Sequence, residues 1–184
     1  MKLWLLRHAQ VDLPAGLCYG ASDVPAHAAL TLQAAHNAAA VLPLGLPVWV
    51  SALGRAQALA LALKQLRPDL GPPTTDLRLN EMDFGQWELQ AWDAVPRSAF
   101  DDWMTDFAHH RFGGQESTQQ VIDRVAQALQ ALRATQAREA VWVTHAGVIR
   151  AAQFVLAHGA GPIGSVDQWP RHAPAPGGHV CLHC

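Results

Sequence analysis

The sequence predicts an α/β domain of three layers, helices on both faces of a mostly parallel central sheet. Three observations carry that prediction. Short apolar runs recur along the 184 residues, most of them lead into segments with helical spacing, and three of the runs are followed, at once or after a short turn, by histidine or arginine. Alternation of this kind is the pattern of α/β folds, where each strand feeds a helix that crosses back over the sheet.

The first run, at about 2–7, is Leu3-Trp4-Leu5-Leu6 and ends at Arg7-His8. A helix is expected over about 30–42. A second strand, about 47–51 around Val48-Trp49-Val50, turns at Ser51 to Gly54 and enters an alanine-rich helix over about 54–66 that carries Arg55. A further strand is expected at about 74–79, followed by Asn80-Glu81-Met82-Asp83-Phe84-Gly85-Gln86-Trp87-Glu88.

Between Trp87 and Glu116 the pattern breaks into short segments bearing Trp92, Phe100, Trp103, Phe107, His109 and His110, closed by Gly113-Gly114. This reads as a small lid-like insertion at about 87–116 within a single domain spanning 1–184. Its aromatics suit a satellite core better than a ligand platform. Val121, Val125, Leu129 and Leu132 recur at helical spacing and predict a long helix over about 117–137, started by Ser117 or Thr118. A strand at about 140–144 ends at His145, a helix follows over about 147–157, and a Gly/Pro-rich connection leads to a last strand near 178–183.

Half of the residues are apolar, enough for one sizeable core and too few residues for two comfortable domains. The net charge of -2 gives no electrostatic case for nucleic acid or an anionic membrane as partner. The apolar stretch after Lys2 is too short for a signal-peptide core or a membrane span, so the chain reads as cytoplasmic. Three cysteines, Cys18, Cys181 and Cys184, suit free thiols in a reducing compartment. His179, Cys181, His183 and Cys184 raise a zinc possibility, but their alternation fits a strand better.

In open parallel sheets, ligands bind beyond the carboxyl ends of the strands. Arg7, His8, Arg55 and His145 all follow strands and so can converge. Guanidinium forks suit the oxygens of a transferring phosphoryl group. Neighbouring positive charge keeps an imidazole neutral, the form that attacks phosphorus. Among these motifs only the Glu81 segment supplies a carboxyl group, the natural proton donor to a leaving oxygen.

Leu6-Arg7-His8-Ala9, Ser51-Ala52-Leu53-Gly54-Arg55-Ala56, the Asn80-to-Glu88 segment and Thr144-His145-Ala146-Gly147-Val148-Ile149-Arg150 resemble, in order, the motifs of the histidine phosphatase superfamily in its phosphoglycerate-mutase-like branch. The resemblance implies a phosphohistidine on His8, phosphate contacts from Arg7, Arg55 and His145, acid/base work by Glu81, and no metal or other cofactor. Its implied partner is a small phosphorylated metabolite; the oligomeric state stays open.

Within the branch, the Asn80-to-Glu88 segment and Gly16-Leu17-Cys18-Tyr19-Gly20-Ala21-Ser22-Asp23-Val24-Pro25 are similar to α-ribazole phosphatases of cobalamin biosynthesis. On that likeness Tyr19 and the backbone of Gly20 are candidate substrate contacts, Tyr19 having a packed loop aromatic as its alternative, and Gln10 joins them as the residue standing where the family pattern has an acidic group that bears on the leaving group.

The chain departs from the family pattern at Ala9, where glycine is commoner, and at Gln10, where an acidic residue is usual. It departs again at Leu13-Pro14, where many relatives carry an asparagine near phosphate, at Ala34 (usually glycine) and at Ala52 (often proline). A mutase is a second reading, against which the short insertion weighs. A phosphohistidine or phosphoprotein phosphatase, or an inactive phosphate-binding module, is a third.

Overall fold

The computed structural model describes residues 1–184. Five strands form one sheet, β1 (Lys2–Arg7), β2 (Val48–Val50), β3 (Thr74–Thr75), β4 (Glu139–Thr144) and β5 (His179–His183), in the order β3-β2-β4-β1-β5. All neighbours are parallel except β5, which runs antiparallel to β1 at the edge. The expected mostly parallel sheet is therefore present, with one reversed edge.

Side-chain alternation divides the core in two. Leu3 and Leu5 of β1 and Ala140 and Trp142 of β4 face one side, packed under α4 (Thr118–Ala134) and α5 (Ala146–His158). Leu6, Val141 and Val143 face the other, with α1 (Ala28–Val41) and α2 (Gly54–Leu66). A strand buried on both faces needs apolar residues at every position, which is why these strands read as unbroken apolar runs rather than alternating ones. No helix is long and apolar enough to cross a membrane.

The boundaries differ from expectation in instructive places. The third strand was expected over 74–79, but pairing stops at Thr75. Asp76 accepts a hydrogen bond from the Arg78 backbone amide at 2.9 Å and grips the Arg78 guanidinium, which turns Leu77–Leu79 into a single 3-10 turn. The long helix ends at Ala134 rather than 137, because Gln136 takes a left-handed conformation with φ of 58°. Its start is a full capping box, Ser117 Oγ accepting from the Gln120 amide and the Gln120 side chain from the Ser117 amide. His179, Cys181 and His183 lie on β5, and nowhere do three or more His, Cys, Asp or Glu side chains assemble as a cation cluster.

A 3-10 turn at Gly85–Trp87 leads into the 87–116 stretch, which contains a second such turn at Trp92–Ala94 and the short helix α3 (Arg97–Thr105). Phe112, fully buried, stacks or tilts against Trp87, Trp92, Phe100 and Trp103 and meets Phe84 edge-on, with ring centroids 4.5 to 6.2 Å away. The rings around Phe112 form a satellite cluster, while Phe107 joins the core under α4 and α5 and Phe84 and Trp103 pack against that core. Phe112→Ala is expected to cost about 3–5 kcal/mol of stability, read as a lowered denaturant midpoint.

Candidate functional site: two histidines and two arginines at the strand ends

The site forms where β1, β2 and β4 end. His8 follows β1 directly, its amide bonding the Thr144 carbonyl at 3.0 Å, and Ser51 follows β2 with its amide on the Val143 carbonyl, also at 3.0 Å. His145 caps α5 immediately after β4. Parallel pairing thus brings residues 8, 51 and 145 to one edge, and Arg55 reaches the same place from the first turn of α2.

His8 and His145 stand with ring centroids 5.1 Å apart, and the Tyr19 ring lies 6.5 Å from His8. The His8 Nδ1 is 2.7 Å from the Ala9 carbonyl oxygen. A carbonyl only accepts, so Nδ1 carries the proton and Nε2 keeps its lone pair. Burial first, and then the charges of Arg55 and Arg7, push the His8 pKa down to about 3. His145, fully buried beside the same charges, is likewise held far below the usual histidine range.

Arg55 is fully buried. Its two Nη atoms donate to the carbonyls of Ser22 and Gly20 at 2.7 and 2.6 Å, and its Cζ lies 5.4 Å from the Tyr19 ring centre. Those carbonyls are presented by a loop that Glu88 holds from behind. The Glu88 carboxylate accepts from the amides of Gly20, Ala21, Ser22 and Phe84 and from the Ser22 hydroxyl, all within 3.2 Å. Gly20 is close against the Met82 carbonyl, with no room for a Cβ.

Arg7 donates one Nη to the Pro174 carbonyl at 2.9 Å. The Nε atoms of Arg7 and Arg55 and the Nδ1 of His145 are buried without a partner. Buried polar atoms are normally paired. Two unpaired guanidinium N–H groups whose charges both act on His8 make a cradle suited to an anion.

Glu81 lies across the cradle, at the N-terminus of α5. Its Oε2 accepts from the Gly147 amide at 3.0 Å and its Oε1 from the Met82 amide at 3.1 Å. Gly147 leaves room for that carboxylate, since a Cβ there would push it aside. The segment is clamped from α4 by Arg124, whose Nη1 donates to the carbonyls of Arg78 and Asn80 while Nε and Nη2 pair with Glu116. Beside Glu81 opens a cavity of about 120 Å³, walled by Met82, Phe84, Trp103, Phe107, Trp169 and Arg150.

Arg7, His8, Arg55, Glu81, His145 and Tyr19 are therefore brought together as expected. Gln10 is exposed and faces a separate groove beside α1. Gly20 has both backbone groups already engaged, by Glu88 and Arg55, so the structure makes it a support for Arg55. Sequence reading missed Glu88, Ser51, Asn80 and Arg150 as contributors. The first three act through bonds to residues 29 to 94 positions away, for which the sequence offers no local signal.

A buried neutral histidine with a free lone pair, set beside guanidinium groups and a carboxyl group, has the chemistry to receive an anionic group on a ring nitrogen. Similarity to known proteins agrees with that chemistry. The profile of the histidine phosphatase superfamily (branch 1) matches residues 3–162, and the chain belongs to that superfamily.

Among solved structures, the TTHB049 protein of Thermus thermophilus superposes with a TM-score of 0.73 at 28% identity, over 99% of this chain and 93% of that one. A mycobacterial glucosyl-3-phosphoglycerate phosphatase gives 0.72 at 26%, over 89% and 86%. A phosphoglycerate mutase, also from Thermus thermophilus, gives 0.72 at 28%, over 99% and 92%. No curated protein sequence matches the chain significantly.

His8 also links the site to acid stability. Between pH 3 and the ordinary histidine value near 6.5 the unfolded chain binds a proton at residue 8 that the folded chain refuses, so stability rises with pH across that window and falls as pH drops below about 6.5. At pH 5 this amounts to about 2 kcal/mol. Denaturant unfolding at pH 7.5 and pH 5 is expected to show a smaller acid loss in His8→Asn than in the native protein.

Proposed function

We propose that the chain is a metal-independent phosphomonoesterase that passes the phosphoryl group through His8. The observation that carries this reading is the His8 ring itself, Nδ1 tied to the Ala9 carbonyl and Nε2 free at the centre of Arg7, Arg55 and His145.

In the first step Nε2 bonds to phosphorus as the ester P–O bond breaks, and the departing oxygen takes a proton from Glu81. Arg7, Arg55 and His145 hold the equatorial oxygens, where guanidinium forks suit the spreading charge. In the second step water attacks phosphorus, Glu81 takes a proton from the water, and the N–P bonding pair returns to His8. The amides of Met82 and Gly147 hold the Glu81 carboxylate in place between the two steps.

The substrate is a small phosphorylated metabolite whose leaving group lies on the Glu81 side. There the cavity walls of Phe84, Trp103, Phe107 and Trp169 suit a flat, largely apolar group. This supports α-ribazole 5'-phosphate, as does the likeness of the 16–25 and 80–88 segments to α-ribazole phosphatases. The similarity to a phosphoglycerate mutase supports a second reading, in which the phosphohistidine is kept from water and returned to substrate. The insertion at 87–116 acts in both readings as a cover over the leaving-group side. A cytoplasmic location fits the three free thiols.

Hydrolysis of p-nitrophenyl phosphate is expected to survive EDTA and to vanish in His8→Ala. Activity lost to the chelator would overturn the metal-free reading, and activity kept by the variant would remove His8 from the chemistry. Glu81→Gln is expected to slow alkyl phosphates by roughly 10²–10⁴-fold and p-nitrophenyl phosphate far less, since nitrophenolate leaves without a proton. Equal losses on both substrates would take Glu81 out of the acid role.

A further inference from the structure

The proton on His145 is fixed by a chain of hydrogen bonds whose direction follows from the chemistry of each partner. The Asn80 Oδ1 accepts from the Ala52 amide at 2.8 Å, an amide that can only donate, so this atom is the amide oxygen. The same oxygen lies 2.8 Å from Ser51 Oγ. Because it can only accept, the Ser51 hydroxyl proton points to it.

Ser51 Oγ is then left as an acceptor on its other sides. It receives the Leu53 amide at 3.2 Å and faces His145 Nε2 at 2.8 Å. His145 must therefore carry its proton on Nε2. The neutral ring presents a bare lone pair at Nδ1, the buried atom without a partner beside His8. A phosphate oxygen arriving there brings a second lone pair, and two acceptors repel unless a proton comes between them.

Resting on the phosphate-binding reading of the site, we infer that Asn80, acting through Ser51, is a positioning residue that locks the His145 tautomer and so couples binding of a phosphate dianion to uptake of a proton at His145 Nδ1. The balance is simple. The free protein with neutral His145, the dianion and one proton give a complex in which an imidazolium donates through Nδ1 to phosphate and through Nε2 to Ser51.

The groups facing the ring explain why the proton arrives only with the anion. Arg7 and His8 from the β1 end, Arg55 from α2 and Arg124 from α4 all oppose a positive charge on His145. The nearby Glu81 carboxylate is held by the Met82 and Gly147 amides. An anion in the cradle reverses the sign of the local field. The lock thereby favours dianions that can attract the proton over neutral ligands of the same shape.

The first test needs no variant. Long-range 15N–1H correlation spectra of the free protein at pH 8 are expected to show His145 protonated at Nε2 and bare at Nδ1. A proton on Nδ1 would overturn the lock, and this result is read even if the protein fails to bind phosphate or to turn over any ester. The second test is calorimetric titration with inorganic phosphate at pH 8.5 in buffers of different ionisation enthalpy.

Because His8 Nε2 can also accept a proton, the informative quantity is a difference. Ser51→Ala, which frees the ring to place its proton on Nδ1, is expected to take up about one proton fewer than the native protein. Its phosphate affinity should accordingly fall about tenfold less per pH unit in this range. Equal uptake in the two proteins would overturn the coupling. Asn80→Leu, which leaves the Ser51 hydroxyl free to donate to His145, is expected to behave like Ser51→Ala and serves if that variant does not fold. A merely structural role for either residue would change affinity without changing the proton count.

Discussion

A guanidinium buried to zero exposure is the constraint on which the site depends, for Arg55 must keep its charge without water. Burying an ion costs several kcal/mol unless hydrogen bonds replace its hydration. Here the carbonyls of Gly20 and Ser22 supply that replacement, and Glu88 supplies the force that turns them inward by gathering the amides of the same loop. The peptide units between are polarised at both ends, amides to a carboxylate and carbonyls to a guanidinium. The arrangement keeps Arg55 and Glu88 from collapsing into an ion pair and leaves the Arg55 Nε without a protein partner.

The same logic appears at Glu81. Its carboxyl group is the one acidic function opposite His8, and it is positioned by two backbone amides below and by Arg124 and Glu116 behind the segment. Neutral backbone amides, not a guanidinium, hold its two oxygens. The Arg124 charge is turned instead to Glu116 and to two carbonyls. The strand ends fix the phosphate side in a comparable way, since β1, β2 and β4 are adjacent parallel strands and bring His8, Ser51 and His145 into register with one another.

Much of this was legible in the sequence because strands buried on both faces leave uninterrupted apolar runs, and a polar residue ending such a run has few places to go. Arg7, His8, Arg55 and His145 could be placed on that reasoning, and their order with Glu81 carried the family resemblance. The third strand was over-extended because Thr74 to Leu79 has strand-like composition, while the Asp76–Arg78 pair that turns it is a side-chain effect. The aromatic insertion showed its composition but not its centre. Nothing in the sequence sets Phe112 apart, and it becomes a hub only when the fold gathers Trp87, Trp92, Phe100 and Trp103 around it. Gln10 was placed by analogy with relatives, and its exposed position beside α1 shows how little a neighbour in sequence shares with His8 once the chain has left the strand.

The cavity beside Glu81 is built from parts of the chain that contribute little to the phosphate cradle. Its walls come from the 82–121 stretch, α5 and Trp169, whereas the cradle comes from β1, the loop at 19–22, α2 and the end of β4. Only Glu81 and the start of α5 belong to both. On the proposed function, substitutions among Phe84, Trp103, Phe107 and Trp169 would reshape what is accepted as a leaving group while the reacting end stays as it is. The two halves of the site are free to change at different rates over evolutionary time, and a lineage can exchange one metabolite for another without rebuilding its chemistry.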